Sequence, residues 1–231
     1  VDLVISARGE AKLKEAAEAI AGETGVSVTP VAADHSTAEG RAKLLAARPD
    51  ADILVITCSP PRMTESYLDI TEAEWVSAFA TGAIGPIELM RAIVPGMAAR
   101  RFGRVVNITT AGAKSPSHLR MLSGGPRAAL ANYTAALSKV VAKENVAINN
   151  LLPGLFYTDA TRNSLNVRAS EQGTSFEVEA AALAKRFRVP ARRFGDAADA
   201  GRLVAVLCSA FAGYVVGQNW VVDGGITNVT F

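Results

Sequence analysis

Cysteine is nearly absent: Cys58 and Cys208 are the whole complement of 231 residues and lie far apart in the chain. Two such residues cannot make the disulfide framework of a small secreted domain. Together with the lack of a leader-like opening they suit free, buried thiols in a reducing, cytoplasmic setting. An excess of one charge is missing too, since 24 Lys+Arg against 22 Asp+Glu leave a net +2 with no basic block. The electrostatic footprint of a nucleic-acid binder is therefore lacking. The two histidines, His35 and His118, have no Cys or carboxylate at ligand spacing, so no metal site is expected. His118 reads either as a solvated residue or as part of an active-site mouth. A membrane span is not expected either. Residues 203 to 222 carry no charge and have the necessary length, but Gly213, Gly217, Gln218 and Asn219 interrupt them and the two ends differ in period. We read 203 to 210 as a buried helix and 220 to 222 as a buried strand.

What is present is an alternation of apolar runs of strand length with helix-period segments, in a chain 49% hydrophobic and 20% charged. Strands are expected at 3–6, 26–32, 53–57, 104–108, 146–152 and 219–222. Helices are expected at 10–21, 38–47, 72–99 and 123–143, with two shorter ones after 176. Short, continuously apolar strands separated by helices imply a parallel sheet covered on both faces, a doubly wound α/β domain of three layers spanning 1–231. Residues 157–176 show little periodicity and read as a long functional loop, following a strand end where open α/β sheets bind ligands.

Several segments, in order, carry a specific resemblance: Asp52-Ile53-Leu54-Val55, then 103–110 (Gly-Arg-Val-Val-Asn-Ile-Thr-Thr), then Asn149-Asn150-Leu151-Leu152-Pro153-Gly154 with Thr158-Asp159, then Arg193-Phe194-Gly195-Asp196, and finally Gly217-Gln218-Asn219 with Val222-Asp223-Gly224-Gly225. Together they resemble the short-chain dehydrogenase/reductase family, and within it the 3-oxoacyl-acyl-carrier-protein-reductase-like members. The resemblance implies a Rossmann-type sheet, an NADP(H)- or NAD(H)-dependent oxidoreductase acting on a small carbonyl or 3-oxoacyl substrate, and a homodimer or homotetramer built on the helices at 72–99 and 123–143. The rival expectation is a non-catalytic homologue that keeps the fold as a ligand-binding scaffold.

Family enzymes use a Tyr as acid/base, a Lys that lowers its pKa, a Ser on the carbonyl oxygen and an Asn in a proton relay. The resemblance puts Ser123 at the Tyr position, Arg127 at the Lys, Thr110 at the Ser and Gly82 at the Asn. No Tyr-x-x-x-Lys exists anywhere, because the four tyrosines are followed four residues on by Thr71, Leu137, Thr161 and Gln218. A serine hydroxyl is a far weaker acid than a phenol, and arginine stays protonated, so an ordinary Tyr-dependent mechanism is not expected. Arg127 can still hold a ribose hydroxyl or phosphate through paired hydrogen bonds. Ser123 has a second reading as the N-cap of its helix.

For the cofactor, Arg8 sits where the family reads an adenosine 2′-phosphate, which favours NADP over NAD; it is otherwise a surface arginine at a strand end. Asp34 matches the adenine-edge Asp, or else begins a helix. Cys58 and Ser59 fall within the segment that replaces the family's Asn-Asn-Ala-Gly, while Pro153, Gly154 and Thr158 match the turn that meets the carboxamide. The match begins at the family's second strand, at Val1, and no Gly-x-x-x-Gly-x-Gly occurs. In the strand order 3-2-1-4-5-6 the first strand is central, so a gap is expected between this chain's first and third strands. A preceding strand–helix element of roughly 25 to 30 residues is expected of the natural protein.

Overall fold

The computed structural model of the chain describes residues 1–227. Six parallel strands alternate with helices in the order β1 (Leu3–Ala7), α1 (Glu10–Thr24), β2 (Val28–Ala32), α2 (Ala38–Ala47), β3 (Ile53–Thr57), α3 (Glu72–Phe79), α4 (Gly85–Ala99), β4 (Gly103–Ile108), α5 (Met121–Val141), β5 (Val146–Pro153), α6 (Asp159–Gln172), α7 (Phe176–Arg186), α8 (Ala197–Cys208) and β6 (Asn219–Val222). This is a Rossmann-like α/β fold. The pairing falls into two blocks: β1 with β2, and β3-β4-β5-β6. The interruption lies between β1 and β3, where the strand order required it. Its effect is visible in burial, because β1 and β2 contain no fully buried residue while β4 and β5 are buried along almost their whole length.

Alternation along β4 and β5 builds the two core layers. Val105, Val146 and Ile148 face Leu89, Met90, Ile93, Val94 and Met97 of α4 and Leu130 of α5. Val106 and Leu151 face Leu207 of α8 on the opposite side. Each such large side chain stabilises the fold by about 2 kcal/mol when taken out of water. On the α4/α5 face of the sheet runs a chain of amides: Asn107 Nδ2 donates to Asn150 Oδ1 at 3.2 Å, and Asn150 Nδ2 donates to Asn219 Oδ1 at 2.8 Å. It ties β4, β5 and β6 in a single register.

Four expectations are corrected. Residues 157–176 are not an irregular loop, since 159–172 form α6, capped by Thr158 and ended by Gly173 at φ 64°. Only Leu165 and Ala169 of that helix are buried, one turn apart, so its apolar stripe is too thin to register as periodicity. The expected helix over 72–99 contains a π turn at Ala80–Ile84 between α3 and α4. The stretches at 203–210 and 220–222 are not buried throughout: β6 ends the sheet with Trp220 37% exposed, and α8 buries only Leu207. Cys58 and Cys208 are half-buried rather than enclosed.

Arg104, on β4, is the largest fully buried side chain. Its guanidinium donates to the carbonyls of Ser209 (2.9 Å), Gly103 (2.8 Å) and Asn145 (2.9 Å), stapling the end of α8 to the start of β5. Truncation by Arg104→Ala strips donors from several buried carbonyls. We expect it to lower unfolding free energy by about 3 kcal/mol, read as a fall in the urea midpoint.

Candidate active site at the strand ends

The chain leaves β3, β4 and β5 on the same side of the sheet, and the residues singled out above follow those strand ends. Cys58 and Ser59 come directly after β3. Thr110 comes after β4, where its Oγ1 accepts from Gly112 N at 3.2 Å and caps a short turn. The first turns of α5 pack on that turn: a Cβ on Gly124 would stand 3.0 Å from Gly112 O. Gly82, in the π turn, lies against the same helix, with a Cβ there reaching 3.1 Å from Pro126 and 3.9 Å from the Arg127 side chain. Thr110, Ser123, Arg127, Gly82 and Cys58 therefore meet in one neighbourhood.

Arg127 is its hub. The residue is only 4% exposed, and among the described residues it has no carboxylate partner. Nη1 donates to Ser123 Oγ at 3.1 Å and to Ser123 O at 3.2 Å. Nη2 donates to Cys58 O at 3.3 Å and Cys58 Sγ at 3.0 Å, and reaches Ser59 O at 3.5 Å. Nε is buried with no acceptor. Ser123 is not an N-cap, because α5 begins two residues earlier, at Met121, and the serine is buried inside the first turn. Its hydroxyl accepts from Arg127 and keeps its own proton to donate.

The second group is separate. Arg8 is exposed and lines a groove of ≈ 340 Å³ with Asp34, Thr37, Glu39, Gly40 and Lys43, the last ion-paired with Glu39 at 3.0 Å. Asp34 does not begin α2, which Thr37 caps. Its Oδ1 accepts from the Ser36 hydroxyl at 2.7 Å and from Ser36 N at 2.9 Å. Those bonds, with a smaller contribution from the charge of Arg8, hold the Asp34 carboxyl below its ordinary range. Lys43 was not foreseen; the signal for it is its placement one turn along α2 from Gly40, which packs on Asp34 so tightly that a Cβ would fall 1.9 Å from Asp34 O. On the far side of the site, Gly154 N donates to Val222 O at 3.0 Å, and a Cβ on Gly154 would collide with Asp223 at 2.4 Å. Pro153 closes β5 just before it, and Thr158 is occupied as the exposed N-cap of α6, its Oγ1 accepting from Thr161 N at 3.2 Å. His118 is exposed.

A doubly wound parallel sheet with a polar cluster at its strand ends is the arrangement of a Rossmann-type nucleotide-binding fold, here interrupted between β1 and β3. Comparison makes the class definite: the family model described as enoyl-(acyl carrier protein) reductase matches residues 1–227, and the chain belongs to the short-chain dehydrogenase/reductase family. It is 30% identical over 227 residues to human dehydrogenase/reductase SDR family member 4, covering 96% of this chain and 77% of that one. The 3-oxoacyl-(acyl-carrier-protein) reductase FabG of Haemophilus influenzae is 29% identical over 177 residues, 77% of this chain and 67% of its own. The crystal structure of L-sorbose reductase from Gluconobacter frateurii, complexed with NADPH and L-sorbose, superposes with a TM-score of 0.88 at 27% identity, covering 99% of this chain and 88% of that one.

The segment after Cys58 is pinned to α3 by an ion pair of Arg62 with Glu74, whose carboxylate also accepts from Thr71 N at 3.0 Å. The Arg62 bond foremost, then the Thr71 backbone, lower the Glu74 pKa from 4.5 to about 2. A depressed carboxyl contributes stability above its unfolded value and loses it as the pH falls toward its folded one. We therefore expect the melting temperature to fall between pH 4.5 and about 2 more steeply in the parent than in Glu74→Gln. Thermal scans in that window check it.

Proposed function

We propose that the chain binds NADP(H) and reduces the carbonyl of a small-molecule substrate of the 3-oxoacyl or diketone kind, without a phenol as acid. The observation that carries the cofactor choice is Arg8 on the groove beside Asp34, a cation with no ion pair among the described residues, whereas Lys43 on the same groove is held by Glu39 at 3.0 Å. That guanidinium fits a 2′-phosphate, which a free ribose hydroxyl would leave unmatched. At the other end, Arg127 offers a buried guanidinium with an unclaimed Nε–H. Bound NADPH would supply the hydride.

The chain's own residues do the rest. Ser123, polarised by the Arg127 donor, and Thr110 present hydroxyls that orient a carbonyl oxygen, and the proton comes from water, because neither hydroxyl is acidic enough to lose it at neutral pH. Cys58, Ser59, Pro153, Gly154 and Thr158 frame the cofactor side. A second reading has one observation in its favour: Ser123 and Arg127 are locked to each other, which suits a binding protein with no turnover.

The same reading gives a cytoplasmic homodimer or homotetramer. Val76, Ile84 and Val140, at 63%, 49% and 65% exposure on the α3-to-α4 helix and α5, are the apolar residues such an interface would cover. Sedimentation should then show no monomer at micromolar concentration.

The decisive assay is NADPH oxidation with 3-oxoacyl esters and diketones, with Ser123→Tyr/Arg127→Lys as a gain control. We expect slow turnover in the parent, and for Arg8→Ala about a tenfold loss in NADPH affinity with little change for NADH. Saturation at 100 times Kd should stabilise the parent by about 2.7 kcal/mol. A rise in melting temperature without turnover would select the binding reading, and neither response would exclude both.

A further inference from the structure

We propose that Cys58 is a reversible oxidation site for hydroperoxides, with Arg127 as the group that holds the oxidised sulfur. The inference stands on the geometry of these two residues and not on the cofactor reading.

The chain contains its own comparison, since both cysteines are half-buried and each lies near a buried arginine. Around Cys208, the Arg104 guanidinium directs its nitrogens to the carbonyls of Ser209, Gly103, Asn145 and Ala210 and to Asn145 Oδ1, and makes no hydrogen bond to sulfur. Burial also pushes the Cys208 thiol up, against a smaller opposing effect of the Arg104 charge. Around Cys58 the allocation differs: Arg127 Nη2 donates directly to Sγ at 3.0 Å, and Arg127 Nε has no acceptor among the described residues. A buried guanidinium N–H left empty is a standing cost. Oxidation of the neighbouring sulfur adds what is lacking, an oxygen acceptor of partial or full negative charge.

The step balances without any further reactant. The Cys58 sulfur attacks one oxygen of a hydroperoxide, ROOH; an S–O bond forms as the O–O bond breaks. Sulfur loses two electrons, the peroxide gains them, and the thiol proton leaves with the departing oxygen, giving Cys58–SOH and ROH. A thiol reductant reverses it through a mixed disulfide. Because Arg127 also holds Ser123, turning the guanidinium toward a sulfenate oxygen weakens the bond to the Ser123 hydroxyl. Oxidation at the end of β3 is thereby communicated to α5.

The test treats the folded protein with limiting hydrogen peroxide, traps sulfenate with dimedone and quantifies both cysteine peptides by mass spectrometry. Cys58 should be trapped at least about tenfold faster than Cys208, and a thiol added after the peroxide and before the dimedone should abolish the label. In Arg127→Met the Cys58 advantage should shrink to within about threefold, with Cys208 unchanged. Equal labelling of the two cysteines in the parent would overturn the proposal with no variant needed, and so would a folded Arg127→Met that retains the full advantage.

Discussion

One buried cation without an acid organises the strand ends. Arg127 enters from α5 and spends its hydrogen bonds on Ser123 in its own helix and on Cys58 and Ser59 at the end of β3. A charge taken out of water costs less the more of its donors are satisfied, and here every nitrogen but Nε has an acceptor. The carbonyls at the end of β3 must therefore turn toward α5, and the helix must lie close enough to meet them. Gly82 and Gly124 make close packing around α5 possible, the first in the π turn against Pro126, the second in α5 itself against the turn capped by Thr110. The site's shape follows from satisfying that guanidinium.

The consequence for chemistry is a division of labour unlike that of a tyrosine and lysine. A lysine beside a phenol shifts its acidity, whereas an arginine beside a serine can only orient it. The cofactor discrimination proposed for this chain lies elsewhere, at Arg8 on the groove it shares with Asp34, Glu39 and Lys43. The two functions sit on opposite sides of the interruption between β1 and β3, so the groove and the Arg127 cluster belong to separately paired blocks of strands.

Much of this was legible in the letters, and the gaps have physical causes. The strands expected at 104–108 and 146–152 are found at Gly103–Ile108 and Val146–Pro153, buried along almost their whole length. Strands covered on both faces leave little choice of residue, so the sequence shows them plainly. The positions of Thr110, Ser123 and Arg127 followed from aligned motifs, and the structure brings them together. Helix α6 was hidden because it faces solvent on nearly every side. The π turn was hidden because one extra residue barely disturbs a helical period. Burial of Arg104 and Arg127 was invisible for another reason: a charged letter inside an apolar context does not say whether carbonyl oxygens surround it. Lys43 belongs to the same class, since its meaning depends on α2 lying hard against Asp34.

The central claim is that reduction proceeds at Ser123 and Arg127 with no titrating acid. The most direct measurement is kcat/KM for NADPH-dependent carbonyl reduction from about pH 6 to pH 9, where a phenol tuned by a neighbouring cation would titrate and neither a serine hydroxyl nor a guanidinium does. A profile flat within about twofold is the predicted result. A limb falling tenfold per pH unit inside that range would contradict it.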